Sequence, residues 1–124
     1  MTEQQAAWRR YQRMIPPPDA PVRVVMDECS DAVLKVRDLS EDGMELEFSG
    51  LETVHIDDYF QLAIHLPLEA PISAVVRVRH LARAHFGVTF VDLEPRHKQA
   101  VRRYIQRFKF RPGLWKRLRQ LWLA

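Results

Sequence analysis

The chain has 124 residues, 47% hydrophobic and 28% charged, with one cysteine and a formal net charge of +3. That length suits one domain with enough core to fold without staples. The lone Cys29 excludes a disulfide framework and a cysteine zinc set, and points to a reducing compartment, the cytoplasm.

No apolar run nears the ~18 residues of a membrane span. The start MTEQQAAWRRYQRM lacks the apolar stretch of a secretory signal. Charge is divided unevenly. Residues 96–124 hold ten Lys and Arg and no acid, whereas the rest of the chain holds nine basic and all sixteen acidic residues. An acidic body with a basic tail suits an anionic partner (nucleic acid, lipid surface or acidic protein face), and equally a solvated helix face.

In chain order, residues 1–21 read as an arm. It is polar and basic, and it ends in IPPPDAP, whose three consecutive prolines forbid helix and strand. VRVVM (22–26) is a strand and DECSD (27–31) a loop. AVLKVRD (32–38) is a second strand, its buried set starting at Val33 or Leu34. After the turn LSEDG, MELEF (44–48) alternates, with Met44, Leu46 and Phe48 in and Glu45 and Glu47 out. A loop over 49–58 leads to YFQLAIHL (59–66), with Phe60, Leu62, Ile64 and Leu66 on one face. ISAVVRVRHLAR (72–83) and HFGVTFVDL (85–93) form a hairpin.

A helix starts at Pro95, where proline suits the first turn. Ala100, Val101, Tyr104, Ile105 and Phe108 form its apolar stripe. RPG (111–113) breaks it, and LWKRLRQLWLA (114–124) is a second short amphipathic helix. The expected fold is mainly β: a six-stranded antiparallel barrel with a mobile N-terminal arm and a C-terminal helix or helices. The expected division is an arm (1–21), a barrel with its capping helix (22–110) and a basic amphipathic helix (111–124).

Two stretches carry chemistry. In Asp38-x-Ser40-x-x-Gly43 the glycine can take positive φ and admit close approach to the backbone, although this pattern is also good turn chemistry on its own. In WRRYQR, Arg9 and Arg13 stand four apart with Arg10 between. Guanidinium forks bind guanine O6 and N7 bidentately, stack on purines and pair with phosphate. A carboxylate complements the guanine N1 and N2 donors. An arm with no fixed partner remains the plainer alternative.

Together, Arg9-x-x-x-Arg13 on an arm, Asp38-x-Ser40-x-x-Gly43 between early strands and the late strand FGVTFVDL resemble the PilZ domain over roughly residues 8–110. The resemblance implies a six-stranded PilZ-type barrel and a bacterial receptor for the second messenger cyclic di-GMP, with no cofactor and no catalysis. It implies a clamp of Arg9 and Arg13 with Arg10 as auxiliary, and a cradle of Asp38, Ser40 and Gly43. It further implies that ligand binding orders the arm and that a protein effector reads the new surface. Trp8, just before the first arginine, either stacks on an exposed guanine or packs on the barrel. Relatives take one ligand or an intercalated pair, and this position bears on which. His80 is a further candidate beside the guanine, or a plain surface histidine.

His55, Asp57 and Asp58 read as a solvent loop, and no metal set is expected. Nothing fixes Cys29 beside a histidine as a nucleophile. The tail 111–124 suits a homodimer contact or packing on its own barrel, a helix docked on a protein partner, or a peripheral contact with an anionic inner membrane. The alternative function is a small barrel that binds single-stranded nucleic acid through its basic tail.

Overall fold

The computed structural model describes residues 13–26, 33–48 and 53–109. Six strands and one helix succeed one another: β1 (Arg23–Met26), β2 (Val33–Leu39), β3 (Gly43–Glu47), β4 (Tyr59–His65), β5 (Ile72–Leu81), β6 (His85–Asp92) and α1 (Pro95–Lys109). All pairings are antiparallel, in the order β1-β2-β3-β6-β5-β4, and β4 pairs with β1 to close a barrel. Closure leaves no open sheet edge. The structure is therefore the expected mainly β barrel with a C-terminal helix. The expected loop over 27–31, part of the loop over 49–58 and the second helix over 114–124 fall on residues outside those described.

The core comes from the alternation of the strands. Val24, Leu34, Leu46, Leu62, Ile64, Ile72, Val76, Val78 and Phe86 are fully buried inside the barrel. Burying each such side chain contributes about 1.5–3 kcal/mol. The buried set of β2 starts at Leu34, because Val33 is 46% exposed. Phe48 is half-buried at the rim, its ring 4.9 Å from that of Phe86. β5 stops at Leu81 rather than running on to 83, where Ala82 N–H bonds back to the His85 carbonyl and turns the chain.

Two of the strand irregularities shape the outer surface of the barrel. Between Val36 and Asp38 the register of β2 against β3 shifts, and between Val78 and His80 the register of β5 against β6 does the same. In each case two residues on one strand face a single step on its partner, which is a β-bulge. A bulge re-aims side chains and breaks strict alternation. It leaves Arg37 and Asp38 adjacent on the outer surface of β2, and Arg79 and His80 adjacent on that of β5.

α1 closes one side of the barrel through Ala100, Val101, Tyr104 and Ile105, all buried. The Tyr104 hydroxyl donates to the Ala20 carbonyl at 2.5 Å, which ties the proline-rich spacer to the helix. Burial pushes that hydroxyl well above the ordinary tyrosine range. Among the described residues no helix is long and apolar enough to cross a membrane.

Candidate functional site

Arg13 and Met14 bring the end of the arm onto the barrel. Met14 pairs with Leu39 as an isolated antiparallel bridge, each N–H donating to the other's carbonyl at 2.9 Å. Met14 itself is buried. This anchor sets Arg13 beside β2, where its guanidinium Nη1 lies 3.6 Å from Asp38 Oδ2. The two motifs read from sequence thus meet in space at these residues. Arg9, Arg10 and Trp8 lie outside the described residues.

Asp38 opens onto a cleft of about 390 Å³ lined by Arg13, Arg37, Asp38, Glu45, Arg79, His80 and His85. Burial raises its carboxyl above the ordinary aspartate value. Arg13 pulls the other way, Glu45 raises it further, and Arg37 and His80 lower it. Arg79 reaches the other side of the cleft and lies 3.9 Å from Asp42. Three guanidinium groups and two carboxylates therefore line one opening, which suits a ligand with both anionic groups and N–H donors.

Ser40 and Gly43 build the turn between β2 and β3. Ser40 is buried, its N–H donates to the Gly43 carbonyl at 2.9 Å, and its hydroxyl donates to Asp42 Oδ1 at 2.5 Å. The hydroxyl is thereby committed to holding the turn and positioning Asp42. The turn motif allows Gly43 a positive φ, but the residue does not lie in that region. Its requirement is space: a Cβ there would sit 2.0 Å from the backbone carbonyl oxygen of Val88 on β6. The close approach at Gly43 is that of the neighbouring strand β6.

Glu45 corrects the sequence reading. Alternation assigns it to the solvent side of β3, and it does point out of the barrel, but its side chain is only 6% exposed. His80 from β5 and His85 from β6 cover it. His80 Nε2 lies 2.8 Å from Glu45 Oε1, and His85 Nδ1 contacts the same oxygen. Gly87 makes room for this arrangement, since a Cβ there would lie 2.2 Å from His80 Cε1.

Sequence reasoning names His80 but misses Arg37, Arg79, Glu45 and His85. Period-two alternation does place Arg79 on the outer face. The neighbours it meets there depend on barrel order and on the bulges. His55 pairs with Asp58 at 3.5 Å and Asp57 with Arg77 at 3.3 Å, both largely solvated, so HIDD is a surface turn.

The family model of the PilZ domain matches residues 8–107. Three solved structures share the fold. The Bacillus subtilis inhibitor of motility (MotI/DgrA) superposes with a TM-score of 0.69 at 16% identity, over 83% of this chain and 52% of that one. YcgR from Escherichia coli in complex with c-di-GMP gives a TM-score of 0.66 at 16% identity, over 90% and 50%. The PilZ domain of E. coli YcgR with c-di-GMP gives 0.64 at 15% identity, over 86% and 97%. The chain thus spans about half the length of the first two and nearly all of the isolated domain. A search of the curated proteins returned no match. A family match over most of the chain, on a closed six-stranded barrel that joins the arm to the Asp-x-Ser-x-x-Gly turn, establishes that this chain belongs to the PilZ domain family.

Proposed function

We propose that this chain is a cyclic di-GMP receptor and adaptor rather than an enzyme. The observation that carries the reading is the 3.6 Å approach of Arg13 to Asp38 at the mouth of a cleft lined by three guanidinium groups. In this reading Arg9 and Arg13, with Arg10 as auxiliary, clamp guanine Hoogsteen edges and phosphates. Asp38 accepts from guanine N1 and N2 donors, while Ser40 and Gly43 keep the cradle compact. Trp8 and His80 are further contacts. Two solved structures of E. coli YcgR, similar to this chain in fold, hold c-di-GMP, which supports the choice of ligand.

The division into an arm over 1–21, a barrel with capping helix over 22–110 and a basic tail over 111–124 gives the proposal its mechanism. Ligand orders the arm over the barrel, and a cytoplasmic protein effector recognises the ordered form. The ligand drives this only through its higher affinity for that form. The tail serves as the contact for a second copy, the effector or an anionic membrane surface. Single-stranded nucleic acid is less well served. Among the described residues Tyr59 is the only strongly exposed large aromatic, and one ring makes no stacking platform.

Thermal melting in the presence of excess cyclic di-GMP, linear pGpG or GTP tests the ligand class. A rise in Tm with the cyclic dinucleotide that the other two do not match supports the receptor. No rise, or equal rises with all three, overturns it.

A further inference from the structure

Folding gathers three residues that are far apart in sequence. β3 pairs with β6 so that Glu45 faces Gly87 and Glu47 faces His85, and β6 pairs with β5 so that Gly87 faces His80. One donor atom from each of Glu45, His80 and His85 lies within 4.8 Å of the others. Both imidazoles address the same carboxylate oxygen. Their rings stand 85° apart with centroids separated by 6.4 Å, so the two nitrogens converge on a point instead of stacking. The carboxylate is almost wholly removed from water, whereas the His80 side chain is 49% exposed. Taking a carboxylate out of water costs several kcal/mol unless something compensates it.

We propose that Glu45, His80 and His85 form a binding site for one divalent transition-metal ion of the zinc class, on the wall of the Arg13–Asp38 cleft. Two imidazole nitrogens and one carboxylate oxygen are the donor set that such ions prefer, whereas magnesium and calcium favour oxygen alone. Tetrahedral bonds of about 2.0–2.2 Å place neighbouring donors roughly 3.3–3.6 Å apart. His80 Nε2, at 2.8 Å from Glu45 Oε1, and His85 Nδ1, in contact with the same oxygen, are hydrogen-bond partners of the carboxylate, and small rotations of the two rings away from it open room for an ion between them. To ligate, each imidazole presents a lone pair at the nitrogen now facing Glu45 and carries its proton on the other nitrogen. Three protein ligands leave at least one position open for water. One carboxylate and two neutral imidazoles around a divalent ion carry a net charge of +1, which adds a positive centre to the cleft. Gly87 is the enabling residue. A Cβ there would lie 2.2 Å from His80 Cε1 and 2.9 Å from Glu45 Oε2.

The test is calorimetric titration of chelator-treated full-length protein with zinc chloride, with no nucleotide present. Its outcome is therefore separate from that of the receptor reading. One ion per chain is expected, with affinity at least tenfold weaker in both His80→Ala and His85→Ala and unchanged in Cys29→Ser. Cobalt(II) titrated into the wild-type chain should give visible d–d absorption without a sulfur charge-transfer band, a readout that needs no variant. His80 and His85 lie on the outer face of the barrel, so the fold should survive both changes, which melting curves of the metal-free proteins check. No zinc binding by the wild-type chain, wild-type affinity in either histidine variant, or loss in Cys29→Ser overturns the proposal.

Discussion

Burial holds the Asp38 carboxyl above its ordinary value, and the Arg13 guanidinium 3.6 Å away only partly offsets this. Folded Asp38 therefore keeps its proton to higher pH than unfolded Asp38, whose reference value is 3.8. The stability of the protonated form is fully present below that value and is lost as pH rises through the folded value. At neutral pH the ionised group thus opposes folding, a common feature of residues held for ligands. Asp38→Asn should raise Tm by a few degrees while weakening cyclic di-GMP binding at least tenfold. Melting and titration of the same preparation check both halves.

The two glycines on β3 and β6 differ in what a methyl group would meet. Gly43→Ala drives a methyl into the Val88 carbonyl, which the β3–β6 ladder cannot easily yield, and should cost about 2–3 kcal/mol in urea unfolding. Gly87→Ala meets the His80 ring and the Glu45 carboxylate; the half-exposed His80 side chain can swing away but then leaves the buried Glu45 with one partner fewer, so a cost of about 1–2 kcal/mol, below that of Gly43→Ala, is expected.

At the scale of elements, alternation and turn chemistry make the strands legible. Met44, Leu46, Leu62 and Ile64 are buried where period two puts them. The bulges are not legible, because an extra residue in one strand shows only against its partner's register. Arg37 beside Asp38 and Arg79 beside His80 are both products of such shifts. Glu45 escapes the sequence for a related reason. Alternation says which face a residue takes, not whether neighbouring strands cover that face.

The turn also touches α1, where Arg102 Nε donates to Glu41 Oε1 at 2.8 Å. Both groups are solvated, so the pair contributes at most about 1 kcal/mol. The stronger tie of α1 is the buried bond from Tyr104 to Ala20. Tyr104→Phe should lower the unfolding free energy by about 1–2 kcal/mol and leave nucleotide affinity within twofold, as urea midpoints and titration would show.

For the molecule as a whole, the motifs are readable in one dimension because Asp38, Ser40 and Gly43 are local and Arg13 precedes them on one arm. The cleft they open onto is not readable. It needs β6 inserted between β3 and β5 and a barrel closed by β4 on β1. The strand order brings residues 38, 45, 80 and 85 together, and the Met14–Leu39 bridge adds residue 13. The folded chain surrounds one opening with Arg13, Arg37 and Arg79 on one side of the charge balance and Asp38 and Glu45 on the other.

The most direct measurement is calorimetric titration of cyclic di-GMP into the full chain at physiological salt, beside Arg13→Ala and Asp38→Ala. Saturable binding that is at least tenfold weaker in both variants is the predicted result, and its stoichiometry distinguishes one bound ligand from an intercalated pair. No binding by the wild-type chain, or equal affinity in all three proteins, would contradict the account.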